Sequence, residues 1–423
     1  MKRASTRPAG ALLKGVLGAL LGLSSLLAQA EPPGLQGLPP EPLLRSALES
    51  APLTQAVRQQ WSAEREAADA QRHSPYEWTL RAGAARRSDV LSQRLNEREI
   101  SIERSLRIGA KAGIDAALAD QGALAAQAGW ELSWRDGVRA VLKSWFELLR
   151  QERKSISLNE QAALGAQQMD VVRRRVKAGD APRLDLLLAQ AEHERLGAEA
   201  ATAALRVQAM RGDLRQRFPA LGEAVPIAVP DQLDDYRPDI SAELALRQRA
   251  PELALAQQQL NMAKLKLRRQ QSDRLADPTI GFRVAQERSG EERVMGLSLS
   301  IPFGGPQRDA RVRVASAELQ AAQARLQDTE LHAAADARRL LQEAVGLVQT
   351  QRQLAHTQAL SAEAARLAQR AYAAGETPLI SALQSLRQAS EARAAAEMAL
   401  LDALELQSHI ALELRELLPP AAL

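Results

Sequence analysis

The sequence predicts a mainly α-helical fold with a small β part, arranged as two tandem copies of one plan. The first observation is composition: 46% of the 423 residues are hydrophobic, yet only 3% are aromatic and none is cysteine, as is typical of long helices packed together. The second is a pair of stretches, about 68 residues each, whose apolar positions step alternately by three and four. The third is four short segments in which apolar and polar residues alternate, the pattern of β-strands.

The first 30 residues have the pattern of a secretory signal peptide. A cationic start is followed by an apolar run over residues 15–27 and by an Ala28-Gln29-Ala30 end. An uncleaved membrane anchor is the alternative, but the run of about 13 residues is shorter than the roughly 20 that a spanning helix needs. No later stretch of 18 apolar residues occurs. We therefore expect cleavage after Ala30 and a mature chain that is periplasmic, secreted or in the outer membrane.

The net charge of +4 and the sequence pI near 9.5 raise the question of nucleic-acid binding. The excess cations lie in the acid-free signal segment, namely Lys2, Arg3, Arg7 and Lys14. Without that segment, basic and acidic residues balance, so we expect no nucleic-acid partner. The lack of cysteine excludes a disulfide scaffold, a thiolate metal site and a cysteine nucleophile.

An internal repeat sets the domain organisation. Residues 176–182 (VKAGDAP) return as residues 372–378 (YAAGETP), and Ala51-Pro52 returns as Ala250-Pro251. Both offsets are close to about 200 residues, which indicates a tandem duplication. The predicted divisions are the signal peptide at 1–30, a first repeat at 31–218, a proline-rich linker at 219–238, a second repeat at 239–416 and a tail at 417–423.

Each repeat is predicted to run helix, two strands, very long helix, turn, helix. In the first repeat we expect a helix over about 43–72, strands over about 76–85 and 98–108, and a long helix over about 110–177. In the second repeat we expect strands over about 279–287 and 293–302 and a long helix over about 307–374. Each long helix would extend on the order of 100 Å.

Four strands with one apolar face have two interpretations. They match the length of strands that cross a bilayer at a tilt, with lipid on one face and water on the other. They also match two half-buried hairpins on a soluble protein. Strands in a bilayer must close without edges, and four cannot enclose a barrel, whereas three copies would supply twelve.

The ordered set of features resembles the TolC-type outer membrane efflux protein family. The residues that carry the resemblance are the export signal, the duplicated helix-hairpin-helix plan, the twin turns AGDAP (178–182) and AGETP (374–378), and LSLSIPF (297–303) before a long helix. The resemblance implies a homotrimer in the outer membrane, with a shared 12-stranded β-barrel and a periplasmic α-barrel of coiled-coil helices. It also implies a periplasmic adaptor protein, an inner-membrane pump and outer-membrane lipid as partners.

Within this family, LRIGAK (106–111) and the Ser300-Ile301-Pro302 strand end are most similar to the heavy-metal (cobalt-zinc-cadmium) branch served by resistance-nodulation-division pumps. The expected function is therefore an exit duct that passively conducts substrate, with heavy-metal cations as the first candidate. Drug efflux and type I secretion by the same fold stay open. A periplasmic coiled-coil interaction protein without a channel is the alternative from another class.

The two turns are the expected adaptor-docking tips, because each glycine ends a long helix and each proline starts the next. These tip residues are Ala178, Gly179, Asp180, Pro182, Ala374, Gly375, Glu376 and Pro378. The resemblance also places Asp185 at the pore constriction, where a trimer would repeat it three times. Ser381 is its counterpart in the second repeat, and Gln384 stands where another acid is common in the family.

On the strands, alternation assigns charged residues to the lumen and apolar residues to lipid. The expected lumen residues are Glu77, Arg81, Glu103, Arg107 and Arg283. The expected lipid-facing residues are Tyr76, Trp78, Phe282, Leu297 and Leu299.

Catalytic and cofactor patterns are missing from the sequence. The five histidines have no second histidine or cysteine at ligand spacing, and no phosphate-binding loop, dinucleotide fingerprint or nucleophile motif occurs. We therefore expect no enzyme, no cofactor and no resident metal.

Overall fold

The computed structural model describes residues 37–88, 94–222, 229–230, 233 and 240–420. The expected signal peptide, much of the expected linker and the last three residues lie outside these ranges. In chain order the elements are α1 (Glu41–Ser50), α2 (Pro52–Ala70), β1 (Thr79–Ser88), β2 (Arg94–Ser105), α3 (Lys111–Ala178), α4 (Arg183–Arg217), α5 (Ile240–Arg249), α6 (Pro251–Ser272), β3 (Thr279–Glu287), β4 (Glu292–Ser300), α7 (Pro306–Ala373) and α8 (Leu379–Glu413).

Two very long helices, α3 and α7, dominate the molecule. Each has 68 residues, which corresponds to about 100 Å. Their bounds lie within one residue of the expected 110–177 and 307–374. Among the described residues, no helix is both long enough and apolar enough to cross a membrane.

Two of the shorter helical stretches are each interrupted at a proline. The single helix expected over 43–72 is instead α1 and α2, because Ala51 is extended (φ −65°, ψ 130°) before Pro52. A residue before proline is sterically pushed out of the helical region, and proline itself has no N–H to donate. The same break separates α5 from α6 at Ala250-Pro251.

The helices lie side by side as a wall. Helices α2 and α4 pack along α3 from one side, while α6 and α8 pack between α3 and α7. Helix α3 therefore has neighbours from the same chain on both flanks. Helix α7 lies at the edge of the wall, and α2 with α4 forms the other edge.

The four strands form one antiparallel sheet in the order β1-β2-β3-β4. The central pairing joins the two halves of the chain, because β2 from the first half pairs with β3 from the second. Strands β1 and β4 are the two edges of this sheet, and each has one side without a partner strand among the described residues.

The largest hydrophobic core surrounds the middle of α3. Trp145 and Phe146 are fully buried there, and the Trp145 indole N–H donates to the Gly37 carbonyl at 2.8 Å. The Trp134 indole N–H donates to the Leu418 carbonyl at 2.9 Å. Buried indoles need such acceptors, so these two bonds fix both ends of the described chain against one helix.

Candidate functional sites at the sheet and the helix tips

The strand register separates an apolar face from a polar face. One row across the sheet is Leu80, Ile102, Phe282 and Leu297, and the next is Ala82, Ile100, Val284 and Met295. The side chains of this apolar face lie open to the surroundings; Leu297 is 88% exposed and Met295 72%. A contiguous apolar face of this kind is unfavourable in water and marks a surface that contacts lipid or protein. Phe282, Leu297 and Leu299, which the sequence assigns to the lipid-facing side, all lie on this face.

The opposite face carries charges paired across the strands. Arg81 and Glu103 are joined at 2.8 Å, and Arg283 and Glu99 at 3.3 Å. Along β2, residues of the apolar face are exposed while those of the polar face, such as Glu97 and Glu99, are half-buried. From this unequal exposure we infer that the sheet curves with its apolar face outward; the apolar face is here called convex and the polar face concave.

Two expected strand residues lie outside the strands instead. Tyr76, expected to face lipid, precedes β1, and its hydroxyl donates to Asp277 Oδ2 at 2.6 Å. Arg107, expected in the lumen, follows β2, and its guanidinium donates to Asp115 on α3 at 2.9 Å. The physical reason is similar for both, because each is hydrogen-bonded to a half-buried acid at the junction of sheet and helices.

Glu77 and Trp78 also precede the first strand, which begins at Thr79. Both are exposed, Trp78 at 57%. The Arg104 guanidinium lies 5.3 Å from the Trp78 ring centroid, a cation–π contact. The expected first strand of 76–85 is thus displaced by three residues along the chain.

The junction itself is built around a buried cation. Lys111, 2% exposed, donates to Asp277 Oδ1 at 2.8 Å and to the Leu275 carbonyl at 2.7 Å. Burial opposes ionisation of Asp277, yet hydrogen bonds from Lys111, the Tyr76 hydroxyl and the Ile108 amide lower its pKa. Donation of its proton to Asp277 raises the pKa of Tyr76 to about 12. The network fixes where the helices of both halves give way to strands.

The two turns at the far end of the helices have the same geometry. Gly179 has φ +85° and Gly375 has φ +79°, the left-handed conformation that favours glycine. The Gly179 amide donates to Val176 and the next amide to Arg175; the Gly375 amide donates to Tyr372 and the next to Ala371. This is the Schellman arrangement. Pro182 and Pro378 then precede α4 and α8 in extended conformation, as the sequence predicts.

A single arginine connects the two turns. The Arg175 guanidinium donates to the Tyr372 carbonyl at 3.1 Å and lies 4.8 Å from the Tyr372 ring centroid. Tyr372 belongs to a small core with Val172, Ala189, Leu379 and Ala382. Burial, and next the negative charge of Asp185, raise the pKa of Tyr372, while Arg175 opposes the rise. The ends of the two hairpins are therefore packed as one unit.

The expected constriction residues lie just beyond the turns. Asp185 is in the first turn of α4 and Ser381 in the first turn of α8, and both are half-buried. Gln384 is exposed one turn further along α8.

Arg175 and Tyr372 are functional candidates that the sequence did not single out. Tyr372 corresponds to Val176 in the repeated turn segment, so an aromatic residue stands where the first repeat has an aliphatic one. In a chain with three tyrosines this replacement is a usable signal. Its partner Arg175 carries no comparable signal, because the contact joins residues 197 apart.

The helical wall is concave on one side. Clefts of about 760 and 790 Å³ are each lined by residues of α2, α3, α6 and α7, although α2 and α7 do not contact each other. Gln71, Met262 and Glu318 border both clefts. Four consecutive helices that share a cleft on one side describe an arc, as a segment of a tube does. Within the described residues, no group of histidine, aspartate and glutamate side chains is arranged to hold a metal ion.

Comparison with known proteins supports this architecture at the level of the fold. No family model and no curated protein matches the sequence. Among solved structures, the chain is similar to the outer membrane protein VceC of Vibrio cholerae, with a TM-score of 0.72, 15% identity and coverage of 88% of this chain and 95% of that one. It is similar to the outer membrane channel CmeC of Campylobacter jejuni, with a TM-score of 0.73, 12% identity and coverage of 88% and 84%.

The transmembrane channel protein CusC is a third similar structure, with a TM-score of 0.66, 14% identity and coverage of 88% of this chain and 91% of that one. These similarities extend over nearly all of the described residues. They confirm the fold expected from the sequence, in which long helices and a four-stranded sheet are arranged as in TolC-type outer membrane channels.

Proposed function

We propose that the protein is the outer-membrane exit duct of a tripartite efflux system, with its sheet in the membrane and its helices in the periplasm. The observation that carries the proposal is the curved sheet with an exposed apolar convex face and an ion-paired concave face. In water such a face costs free energy, whereas in a bilayer it is matched by lipid chains. The fold shared with outer membrane channels supports the same assignment.

The unpaired edges of the sheet support a homotrimer. Within the described part of the chain, strands β1 and β4 each leave one row of backbone groups without a partner strand, which a bilayer does not tolerate. Pairing β4 of one copy with β1 of the next satisfies both rows. Three copies then close a barrel of twelve strands, within the range known for such barrels.

The edge helices support the same assembly. On α7, Leu360 and Leu367 are 60% and 52% exposed, whereas Ala365 and Tyr372 are buried. Each exposed leucine lies five residues before a buried one of these positions, which places it about 140° around the helix. On α4, Leu184 and Leu205 are likewise exposed, at 62% and 67%. Apolar stripes on both edges of one wall would bury each other between copies.

The tips and the constriction keep the roles that the sequence suggests. In this proposal the adaptor grips the turns at Gly179 and Gly375, and Asp185 lines the closed mouth three times around the axis. An acidic ring favours cations. Heavy-metal cations are the proposed substrate on the strength of the motifs at 106–111 and 300–302 alone, and drug efflux and type I secretion are the alternatives with the same fold.

The decisive experiment is expression of the full chain, followed by fractionation and planar-bilayer recording. We expect a mature N-terminus at Glu31, after cleavage of the signal, and a heat-modifiable trimer in outer-membrane fractions with discrete single-channel conductance. A monodisperse protein in the soluble periplasmic fraction that never inserts into bilayers would instead support a coiled-coil interaction protein.

The constriction is tested separately by Asp185→Ala, with Asp180→Ala at the tip as the matched control. We expect Asp185→Ala to raise the single-channel conductance and to weaken block by divalent cations, while Asp180→Ala leaves block unchanged. Unaltered conductance and block in Asp185→Ala would show that Asp185 does not line the closed mouth, without contradicting the duct assignment.

Sensitivity of a deletion strain to zinc, cobalt, cadmium, copper and a drug panel tests the substrate class.

A further inference from the structure

The apolar face of the sheet becomes polar and basic towards the end farthest from the helices. Beyond the row of Ala82, Ile100, Val284 and Met295, the next row on the same face is Ala84, Arg98, Gln286 and Arg293. The two rows after it place Arg86 opposite Asn96 and Ser88 opposite Arg94. Four arginines, here called the arginine rim, therefore follow the apolar rows directly: Arg86, Arg94, Arg98 and Arg293.

No acid of the described residues pairs with the arginine rim. All four side chains are exposed, and Arg86 donates to the Asn96 side-chain oxygen at 3.3 Å. On the other face of the same strands, acids and arginines alternate and pair, as Arg87 does with Glu97 at 3.1 Å. Among the described residues, the sheet thus has ion-paired charge on its concave face and arginines without an acidic partner on its convex face.

The length of the apolar rows places the rim at a membrane surface. Met295, Leu297, Leu299, Ile301 and Phe303 alternate along β4 and its extension, with exposures from 50% to 96%. The nine residues from Met295 to Phe303 match the roughly 9–11 residues with which a tilted strand crosses a bilayer. Arg293 lies one alternation beyond Met295 and so falls at headgroup level.

We propose that the arginine rim binds the phosphate groups of lipid headgroups in the outer leaflet, and specifically a bisphosphorylated glucosamine lipid such as lipid A. The inference rests on the proposed function, because periplasmic helices direct the far end of the sheet to the outer leaflet. A guanidinium matches phosphate with two parallel N–H donors. In a trimer the rim is repeated three times and forms a belt of positive charge around the barrel.

The test compares lipid binding by the full-length trimer and three variants. The rim variant is R86Q/R98Q/R293Q, the charge-conserving variant is R86K/R98K/R293K, and the matched control R81Q/R87Q/R283Q removes three arginines from the concave face. Each must first run as a heat-modifiable trimer. Retention of lipid A through size-exclusion chromatography is measured against phosphatidylcholine, with inorganic phosphate as competitor, at low and high salt.

We expect the rim variant to bind lipid A about 100-fold more weakly, because each arginine near an anionic surface contributes about a factor of five. The concave-face control should keep the binding, the lysine variant should fall between it and the rim variant because lysine keeps the charge but loses the two parallel donors, and salt should weaken binding. Equal retention of lipid A by the rim variant, equal retention of phosphatidylcholine, or full displacement by inorganic phosphate would overturn the proposal.

Single-channel conductance in phosphatidylcholine bilayers separates this inference from the proposed function. If the rim variant conducts and still retains lipid A, the rim assignment fails and the duct stands. If the wild-type protein neither inserts nor conducts, the duct assignment fails, and the rim assignment fails with it.

Discussion

The two halves of the chain have the same sequence of elements but bury their long helices very differently. Helices α3 and α7 have 68 residues each, and α4 and α8 have 35 each. Yet 19 residues of α3 are buried, among them three tryptophans and a phenylalanine, whereas nine residues of α7 are buried, mostly alanines. Equal length with unequal burial shows that position in the wall, not the repeat itself, determines the packing.

The difference follows from what flanks each helix. Helix α3 lies between two rows of helices of its own chain and can bury bulky side chains on both sides. Helix α7 has such a row on one side, and its other side carries exposed leucines. Helix α3 thus forms the centre of the protomer core, and α7 provides a surface suited to another copy.

The largest predicted effect comes from truncating a side chain at matched positions of the two long helices, which tests whether α3 stabilises the protomer more than α7. Trp145 and Leu341 each lie 34 residues before their turn glycine. Trp145→Ala should cost about 3–5 kcal/mol of unfolding free energy, since it removes a fully buried side chain and its bond to Gly37. Leu341→Ala should cost less, about 2 kcal/mol, because the side chain removed is smaller and is 8% exposed.

Denaturant unfolding in detergent measures both free energies. Far-UV circular dichroism is the signal to follow, because it reports helix content and does not depend on the tryptophan that is removed. A cost for Leu341→Ala equal to that for Trp145→Ala would mean that the two helices contribute equally to the protomer core.

The next prediction concerns assembly rather than folding. Leu360→Glu places a charge on the exposed stripe of α7 and should weaken the trimer by about 2 kcal/mol per interface, the contribution of one buried leucine. Ile156→Glu is the control, because Ile156 is 51% exposed on α3, whose flanks are occupied within the chain. Native gel electrophoresis and light scattering measure the trimer fraction. Dissociation by Ile156→Glu but not by Leu360→Glu would reverse the assignment of the edge.

Much of the fold could be predicted from the sequence because its signals are local and periodic. The third strand has the expected bounds of 279–287, and the long helices agree within one residue. The first strand was predicted three residues early because Tyr76 and Trp78 alternate with polar residues as strand residues do. Tyr76 lies outside the strand because its hydroxyl is hydrogen-bonded to Asp277, a carboxylate about 200 residues later in the chain. No local sequence pattern encodes such a contact.

Some features of the candidate sites could likewise be predicted from local sequence, and others depend on tertiary packing. The turn glycines and prolines were predictable because helix ends have their own residue preferences. The contact of Arg175 with Tyr372 depends on how two distant hairpins pack, so it required the structure. The separation of the arginine rim from the paired acids likewise depends on strand register, which alternation alone does not determine between strands.

The cross-hairpin contact tests whether the two halves are coupled at the tip. Arg175→Ala removes a charged hydrogen bond and a cation–π contact and should lower local stability by about 1.5 kcal/mol, or roughly tenfold in amide protection. Arg174→Ala is the control, since Arg174 is exposed and bonds only to the Asp170 carbonyl of its own helix at 3.4 Å. Hydrogen exchange of the segments around Val172 and Tyr372 reports the change. Loss of protection around Val172 alone would mean that the hairpins open independently.

The smallest predicted effect concerns the turns, where the two halves should behave alike. Gly179→Ala and Gly375→Ala should each cost about 1 kcal/mol, because the added Cβ meets no atom within 4 Å and the penalty comes only from the left-handed backbone. Gly197→Ala is the control within α4, where the same open space but ordinary helical geometry should instead stabilise the protein by up to about 1 kcal/mol. Differential unfolding of the three variants measures these values. If Gly375→Ala cost clearly more than Gly179→Ala, the turns would not be equivalent, and a contact beyond backbone geometry would distinguish the second tip from the first.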